Sequence, residues 1–230
     1  MIKYEVQDRV GKIVIERAST ANAFTAEMIR QLCRTLQSAV EGTDIVTLTG
    51  EGADFTVGRD RQESKAGSPF DAFSNISALN KAIGAYPGIL IAVVRGRAFG
   101  LGVGLVMRSD LAIASDDARF ALDEVKLGIP PMFIMEEIGD HLSSKRALDI
   151  VLTSREFGAD EALHMGLLSR FVPAQQLDAA AGELVETLRG RDRSVILACK
   201  RYLRAVAKMP ADARAAYALV EQTQFALNKY

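Results

Sequence analysis

The sequence predicts an α/β fold followed by a helical C-terminal region, and three observations carry that prediction. The first fifty residues read strand, helix, strand. The continuous apolar run Ile89 to Val94 reads as a strand covered on both faces. From Ser143 onward helical patterning takes over, apart from Leu168 to Val172. A chain of 230 residues can bury one substantial core. Residues 1–190 are expected to form it, with 191–230 as a C-terminal helical segment.

Taken in order, Met1-Ile2-Lys3 leads directly into strand-like sequence, Lys12 to Glu16 reads as a strand, and Asp44 to Thr49 as another. Between them Thr25 can cap a helix carrying Ile29, Leu32, Cys33, Leu36 and Val40 on one face, with Glu27 suited to its first turn. Ser64 to Ser74 is polar and contains Gly and Pro, so it reads as a mobile surface loop. A helix around Ala78 to Tyr86 ends before Pro87-Gly88. After the buried strand, a glycine-rich turn opens an apolar helix from about Leu101 to Arg108, and strands follow at Leu111 to Ala114 and Phe120 to Glu124. Asp192 to Met209 reads as one amphipathic helix, punctuated by Pro210 before a last helix.

The bulk chemistry excludes several functions. The net charge is −1 with interspersed signs, which argues against a dedicated nucleic-acid protein. The most basic segment, Lys200 to Lys208, alternates charged and apolar residues as a solvated helix face does. No apolar run reaches the length of a membrane span, and a cytoplasmic location is expected. Cys33 and Cys199 sit in helical apolar patterns and read as packed thiols. His141 and His164 have no metal-ligand spacing with them, so no zinc site is expected.

Two segments can carry chemistry. Gly96-Arg97-Ala98-Phe99-Gly100-Leu101-Gly102-Val103-Gly104 lies between the buried strand and the apolar helix. Glycine lets a ligand approach the backbone, and free amides at a helix start can receive an anion. Close helix packing through missing side chains is the alternative. A dinucleotide site is disfavoured, because the spacing is Gly-x-Gly-x-Gly. The second segment, Asp54 to Asp60, follows a strand; Gly58 there either exposes the next amide or simply makes a turn.

Together these segments resemble the enoyl-CoA hydratase/isomerase (crotonase) family. Phe55, Gly58 and Asp60 are similar to its Phe-x-x-Gly-x-Asp motif. Val94, Gly96, Ala98, Gly100 and Gly102, closed by Asp110, resemble its glycine-rich run. Phe120, Glu124, Gly128, Ile129 and Pro130, then Phe157, Glu161-Ala162, Gly166-Leu167 and Val172-Pro173, continue the pattern in register. The resemblance implies a crotonase-like spiral of ββα turns with C-terminal helices, assembling as homotrimers or homohexamers. It implies an acyl-CoA thioester as partner, coenzyme A being part of the substrate, with no other cofactor and no metal.

It further implies an oxyanion hole made by the backbone N–H groups of Arg59 and Leu101, with Gly58, Asp60 and Gly100 around the substrate. Leu101 stands where relatives usually carry glycine, but only its N–H is required. Glu124 matches the family's proton-exchanging glutamate. Gly104 stands where family hydratases carry a second glutamate, which favours single-base isomerisation over hydration, with decarboxylation or C–C cleavage, and a non-catalytic acyl-CoA-binding protein, as alternatives. Asp123, Glu136 and Glu137 are the nearby substitutes, the last two on a helix face. Arg59, flanked by Asp60 and Arg61, either pairs with a substrate carboxylate or with CoA phosphates, or belongs to an exposed charge cluster. Lys200, Arg201 and Tyr202 fall where the family's helical appendage approaches CoA. Relatives commonly extend past the point matching Asn228-Lys229-Tyr230, so a more open acyl site, or closure by neighbouring subunits, is expected.

Overall fold

The computed structural model describes the backbone of residues 1–66 and 68–228 and, outside 64–66, their side chains. Two compact units are present, Met1–Val185 and Glu186–Tyr230. The first opens with a hairpin of β1 (Ile2–Gln7) and β2 (Val10–Ile15). Asp8 and Arg9 turn it with φ of 49° and 64°, as a two-residue hairpin loop demands. Helix α1 (Ala26–Gly42) is capped by Thr25, whose hydroxyl accepts from the Met28 N–H at 3.2 Å. It buries Met28, Ile29, Leu32, Leu36 and Ala39, whereas Val40 at the edge of the expected face is exposed.

Strand β3 (Ile45–Gly50) leads towards α2 (Arg61–Ala66) and α3 (Pro69–Ala85). The expected loop from Ser64 to Ser74 is therefore helical on both sides of position 67, which itself lies outside the described residues. The local chemistry accounts for the restart: the Ser68 hydroxyl accepts from Asp71 N–H and Pro69 sits in the first turn. Strand β4 (Ile89–Val94) is buried at every residue, then come β5 (Arg97–Phe99) and α4 (Leu101–Arg108). β6 (Leu111–Ser115) and β7 (Arg119–Ala121) follow. The strand expected to reach Glu124 stops at Ala121. Asp123 turns the chain with φ −100° and ψ 6°, and Glu124 starts a short 3-10 helix ending at Leu127.

Next are α5 (Met132–His141), α6 (Ser144–Thr153), β8 (Phe157–Gly158), α7 (Ala159–His164), β9 (Arg170–Val172) and α8 (Leu177–Arg189). The main sheet runs β1-β2-β3-β4-β6-β9, parallel except for the first pair. A second sheet runs β5-β7-β8. Strands β4 and β5, then β6 and β7, each leave the main sheet and enter the second before a helix follows, which makes a repeating ββα turn. One row of residues marks the second sheet: Thr56 pairs with Ala98, Ala98 with Phe120, and Phe120 with Phe157. Their side chains are all buried, and Phe120 and Phe157 stack with ring centroids 5.6 Å apart.

In the second unit, α9 (Arg193–Val206) begins at Asp192, whose carboxylate accepts from Ser194 N–H at 2.8 Å, and α10 (Arg214–Leu227) follows. Tyr202 and Tyr217 stack at 5.6 Å between ring centroids. Cys199, expected to be packed, is exposed, because α9 buries no residue of its own. Cys33 is half-buried, and burial pushes its thiol up.

Candidate active site

The row of the second sheet aligns three loops. Two residues after Thr56 comes Gly58, two after Ala98 comes Gly100, and four after Phe120 comes Glu124. The loops are bound to one another through backbone: Thr56 N–H donates to Arg97 O at 2.9 Å, Phe99 N–H to Thr56 O at 2.9 Å, and Gly100 N–H to Ala121 O at 2.9 Å. Asp54 and Arg97 add a two-pronged ion pair with both contacts at 2.8 Å, and this holds the Asp54 carboxyl below its usual range. Burial works against that lowering. The result is a rigid frame for the ends of the three loops.

Gly58 has φ +88°, and a Cβ there would stand 2.9 Å from Phe99 O and 3.4 Å from Leu101 N. Only glycine permits that contact, and it brings the Arg59 and Leu101 segments together backbone to backbone. Phe24 pairs in parallel with Arg59, so its bonds go to the flanking residues: Phe24 N–H donates to Gly58 O and Asp60 N–H to Phe24 O. The Arg59 N–H consequently points the other way. Leu101 is the first residue of α4, where an N–H has no partner inside the helix. Among the described residues neither N–H has a hydrogen-bond acceptor.

Both amides belong to residues lining a cavity of about 560 Å³, together with Gly58, Gly100, Gly104 and Glu124. Gly100 has φ 49° and ψ −113°, and Glu124 Oε1 is 2.8 Å from where a Cβ on it would sit. Glu124 Oε2 is buried and has no hydrogen-bond partner among the described residues. Burial pushes this carboxyl above its ordinary value, and the neighbouring charge of Asp123 adds to the effect. The Glu124 backbone amide, Arg59 and Arg61 oppose the rise.

The charged residues after Gly58 separate into distinct tasks. The Arg59 guanidinium is half-buried over the Phe73 ring, 5.4 Å from its centroid, and Phe73 lies 6.0 Å from the Phe133 ring. Arg61 is exposed and pairs with Asp123 at the cavity edge. Asp60, expected beside the substrate, is not among the lining residues. Its carboxylate accepts from Arg17 Nη1 at 2.7 Å and from the Gln62 and Glu63 N–H groups at 2.9 and 3.2 Å. It starts α2 and anchors the loop behind Arg59. Asp110 likewise serves the backbone, accepting from Leu90 N–H at 2.9 Å.

The three carboxylates near Gly104 are also separated. Asp123 lines the cavity but is held by Arg61, Glu137 pairs with Arg108 at 3.3 Å, and Glu136 does not line the cavity. Phe73, Phe133 and Arg108 line it and were not singled out in the sequence. Phe73 was hidden because its segment reads as a loop. Arg108 reads as the polar end of an apolar helix, yet its i+4 spacing from Gly104 and i+7 from Leu101 puts it on their face.

A model of the enoyl-CoA hydratase/isomerase family matches residues 5–227. The mouse protein called enoyl-CoA hydratase domain-containing protein 3, mitochondrial, is 30% identical over 222 residues, covering 94% of this chain and 73% of its own length. Hydroxycinnamoyl-CoA hydratase-lyase of Pseudomonas fluorescens is 28% identical, over 86% of this chain and 76% of its own. A Thermobifida fusca YX protein solved in complex with CoA superposes with a TM-score of 0.89 at 26% identity, over 99% of this chain and 93% of its own. The fold is that of the crotonases, and the match runs through every loop of the cavity. The chain therefore belongs to the enoyl-CoA hydratase/isomerase family.

Proposed function

We propose that this chain binds an acyl-CoA thioester, stabilises its enolate, and moves a proton between carbons with Glu124 as the single acid/base. The observation that carries the reading is the position of Glu124. Its carboxylate lies against Gly100, the residue before Leu101 at the start of α4, with one oxygen buried and without a partner among the described residues. The relative solved with CoA supports the choice of ligand.

The thioester oxygen accepts from the Arg59 and Leu101 N–H groups. Glu124 takes a proton from the α-carbon of a 3-enoyl-CoA, and the electron pair moves onto that oxygen. The same carboxyl group returns the proton to the γ-carbon, leaving the 2-enoyl-CoA. Fixed amides aimed at a developing oxyanion contribute about 3–4 kcal/mol each in other enzymes. A carboxylate raised by burial is a better base near neutral pH than a solvated one. Hydration needs a second carboxylate to hold water, and Gly104 supplies none. Asp123, the other carboxylate on the cavity wall, is occupied by Arg61.

The relatives' names favour a second reading, hydration, which Asp123 would serve if Arg61 released it. Supplying purified protein with 3-hexenoyl-CoA and crotonyl-CoA separates the two. The single-base reading expects conversion of the first to 2-hexenoyl-CoA, abolished by Glu124→Gln, and little hydration of the second. Rapid hydration of crotonyl-CoA with no isomerisation rejects it. Binding of both thioesters without turnover makes the protein a non-catalytic acyl-CoA binder.

A further inference from the structure

The cavity wall beyond the first turn of α4 contains a buried cation. Arg108 closes α4 and lines the cavity, yet its side chain is only 6% exposed. Nη2 donates to Phe133 O at 2.6 Å. Nε is buried without a hydrogen-bond partner among the described residues. Glu137 Oε1 stands 3.3 Å from it, within ion-pair reach but not aligned to accept. Nη1 is 3.3 Å from the point where a Cβ on Gly104 would sit. The missing side chain at Gly104 thus gives the guanidinium access to the cavity. Burial of an arginine costs solvation, and the charges of half-exposed Glu137 and then Glu136 compensate it. Nη1, beside Gly104, keeps N–H donors for an anion, at the end of a planar guanidinium whose geometry suits a carboxylate.

Resting on the acyl-CoA reading above, we infer that Arg108 is a receptor for an anionic group on the acyl chain, and that the preferred substrates are short CoA thioesters ending in a carboxylate. The span supports a short chain. Leu101, whose amide would hold the thioester oxygen, and Gly104, beside the guanidinium, are i and i+3 on one helix face, about 5–6 Å apart. Lys126 and Arg59 also line the cavity. Arg59 is engaged with Phe73, and the variant below separates both from Arg108.

The test compares pairs of equal carbon number, succinyl-CoA with butyryl-CoA and glutaryl-CoA with pentanoyl-CoA, by calorimetric titration of the whole chain. The expected result is at least tenfold tighter binding of one or both dicarboxylic esters than of their neutral partners. Arg108→Met should abolish that preference. Equal binding within each pair overturns the proposal while the acyl-CoA reading stands. A preference that survives in Arg108→Met overturns it also, and assigns the carboxylate to another cation. If no thioester binds, both readings fall. The wild-type comparison decides by itself if Arg108→Met does not fold, and Arg108→Lys, which keeps charge without the fork, should retain part of the preference.

Discussion

Glu124 and Gly100 share one space: the carboxylate of the first stands where a side chain on the second would have to be, with Oε1 2.8 Å from that missing Cβ. The relationship explains two features of the sequence together. Gly100 is required by its backbone, whose φ is 49°, and by the acid packed on it. Glu124 is drawn away from solvent while Oε2 lacks a partner among the described residues. A group kept charged there is costly, which raises its affinity for a proton. From this relationship and its neighbours come the following expectations.

Glu124→Gln keeps the shape and removes the base. Proton transfer should fall by about 10²–10⁴-fold, the usual contribution of a positioned acid/base. Affinity for CoA thioesters should change little, as read by titration with butyryl-CoA. The wild-type rate should rise with pH along an acidic limb lying above the ordinary carboxyl value of 4.5, since burial and then Asp123 push Glu124 up.

The same shift makes a stability prediction. The folded state holds the Glu124 proton more tightly than the unfolded state, so this contribution to stability is full below pH 4.5 and is lost as pH rises through the raised value. Glu124→Gln cannot lose it. Its melting temperature should exceed that of wild type at pH 7–8. The gap should close towards pH 4, as followed by circular dichroism.

Asp123 raises the Glu124 value, and its ion pair occupies Arg61. Asp123→Asn removes a like charge and frees a cation, so both effects favour ionised Glu124. The acidic limb of the rate profile should move to lower pH, with the plateau rate reduced by less than about tenfold, because general acid/base catalysis of 10²–10⁴ stays with Glu124. A loss as deep as that of Glu124→Gln would make Asp123 a second acid/base.

Gly58→Ala should damage the frame rather than the acid. Its φ of +88° disfavours any side chain, and the new methyl would meet Phe99 O at 2.9 Å. A strained backbone of this kind costs about 1–3 kcal/mol. Denaturant unfolding should show that loss, and turnover should fall with it, since the Arg59 amide moves relative to Leu101.

Much of the candidate site's frame was legible in the sequence because it is built from backbone, and backbone requirements leave glycines at fixed spacing. Leu101–Arg108 is a helix with the expected bounds, Thr25 caps α1, and Ile89–Val94 is buried throughout. What stayed hidden depends on long-range pairing. Asp60 reads like a substrate contact until Arg17, 43 positions earlier, takes its carboxylate. Phe73 was unreadable as a site residue because Ser68 and Pro69 restart a helix in a stretch whose composition signals a loop. Glu124 reads as a strand residue, since the turn at Asp123 has no Gly or Pro to announce it. Arg108 resembles any charged helix end until the cavity wall is assembled around it.

The central claim is that this cavity stabilises an enolate through the Arg59 and Leu101 amides, with Glu124 as the base. Its most direct measurement is exchange of the α-protons of butyryl-CoA with D2O, followed by proton NMR, because exchange reports enolate formation whatever reaction follows. The account predicts loss of the α-proton signal with the wild-type protein and its persistence with Glu124→Gln. Persistence with wild type while butyryl-CoA is bound, or equal exchange by both proteins, contradicts it.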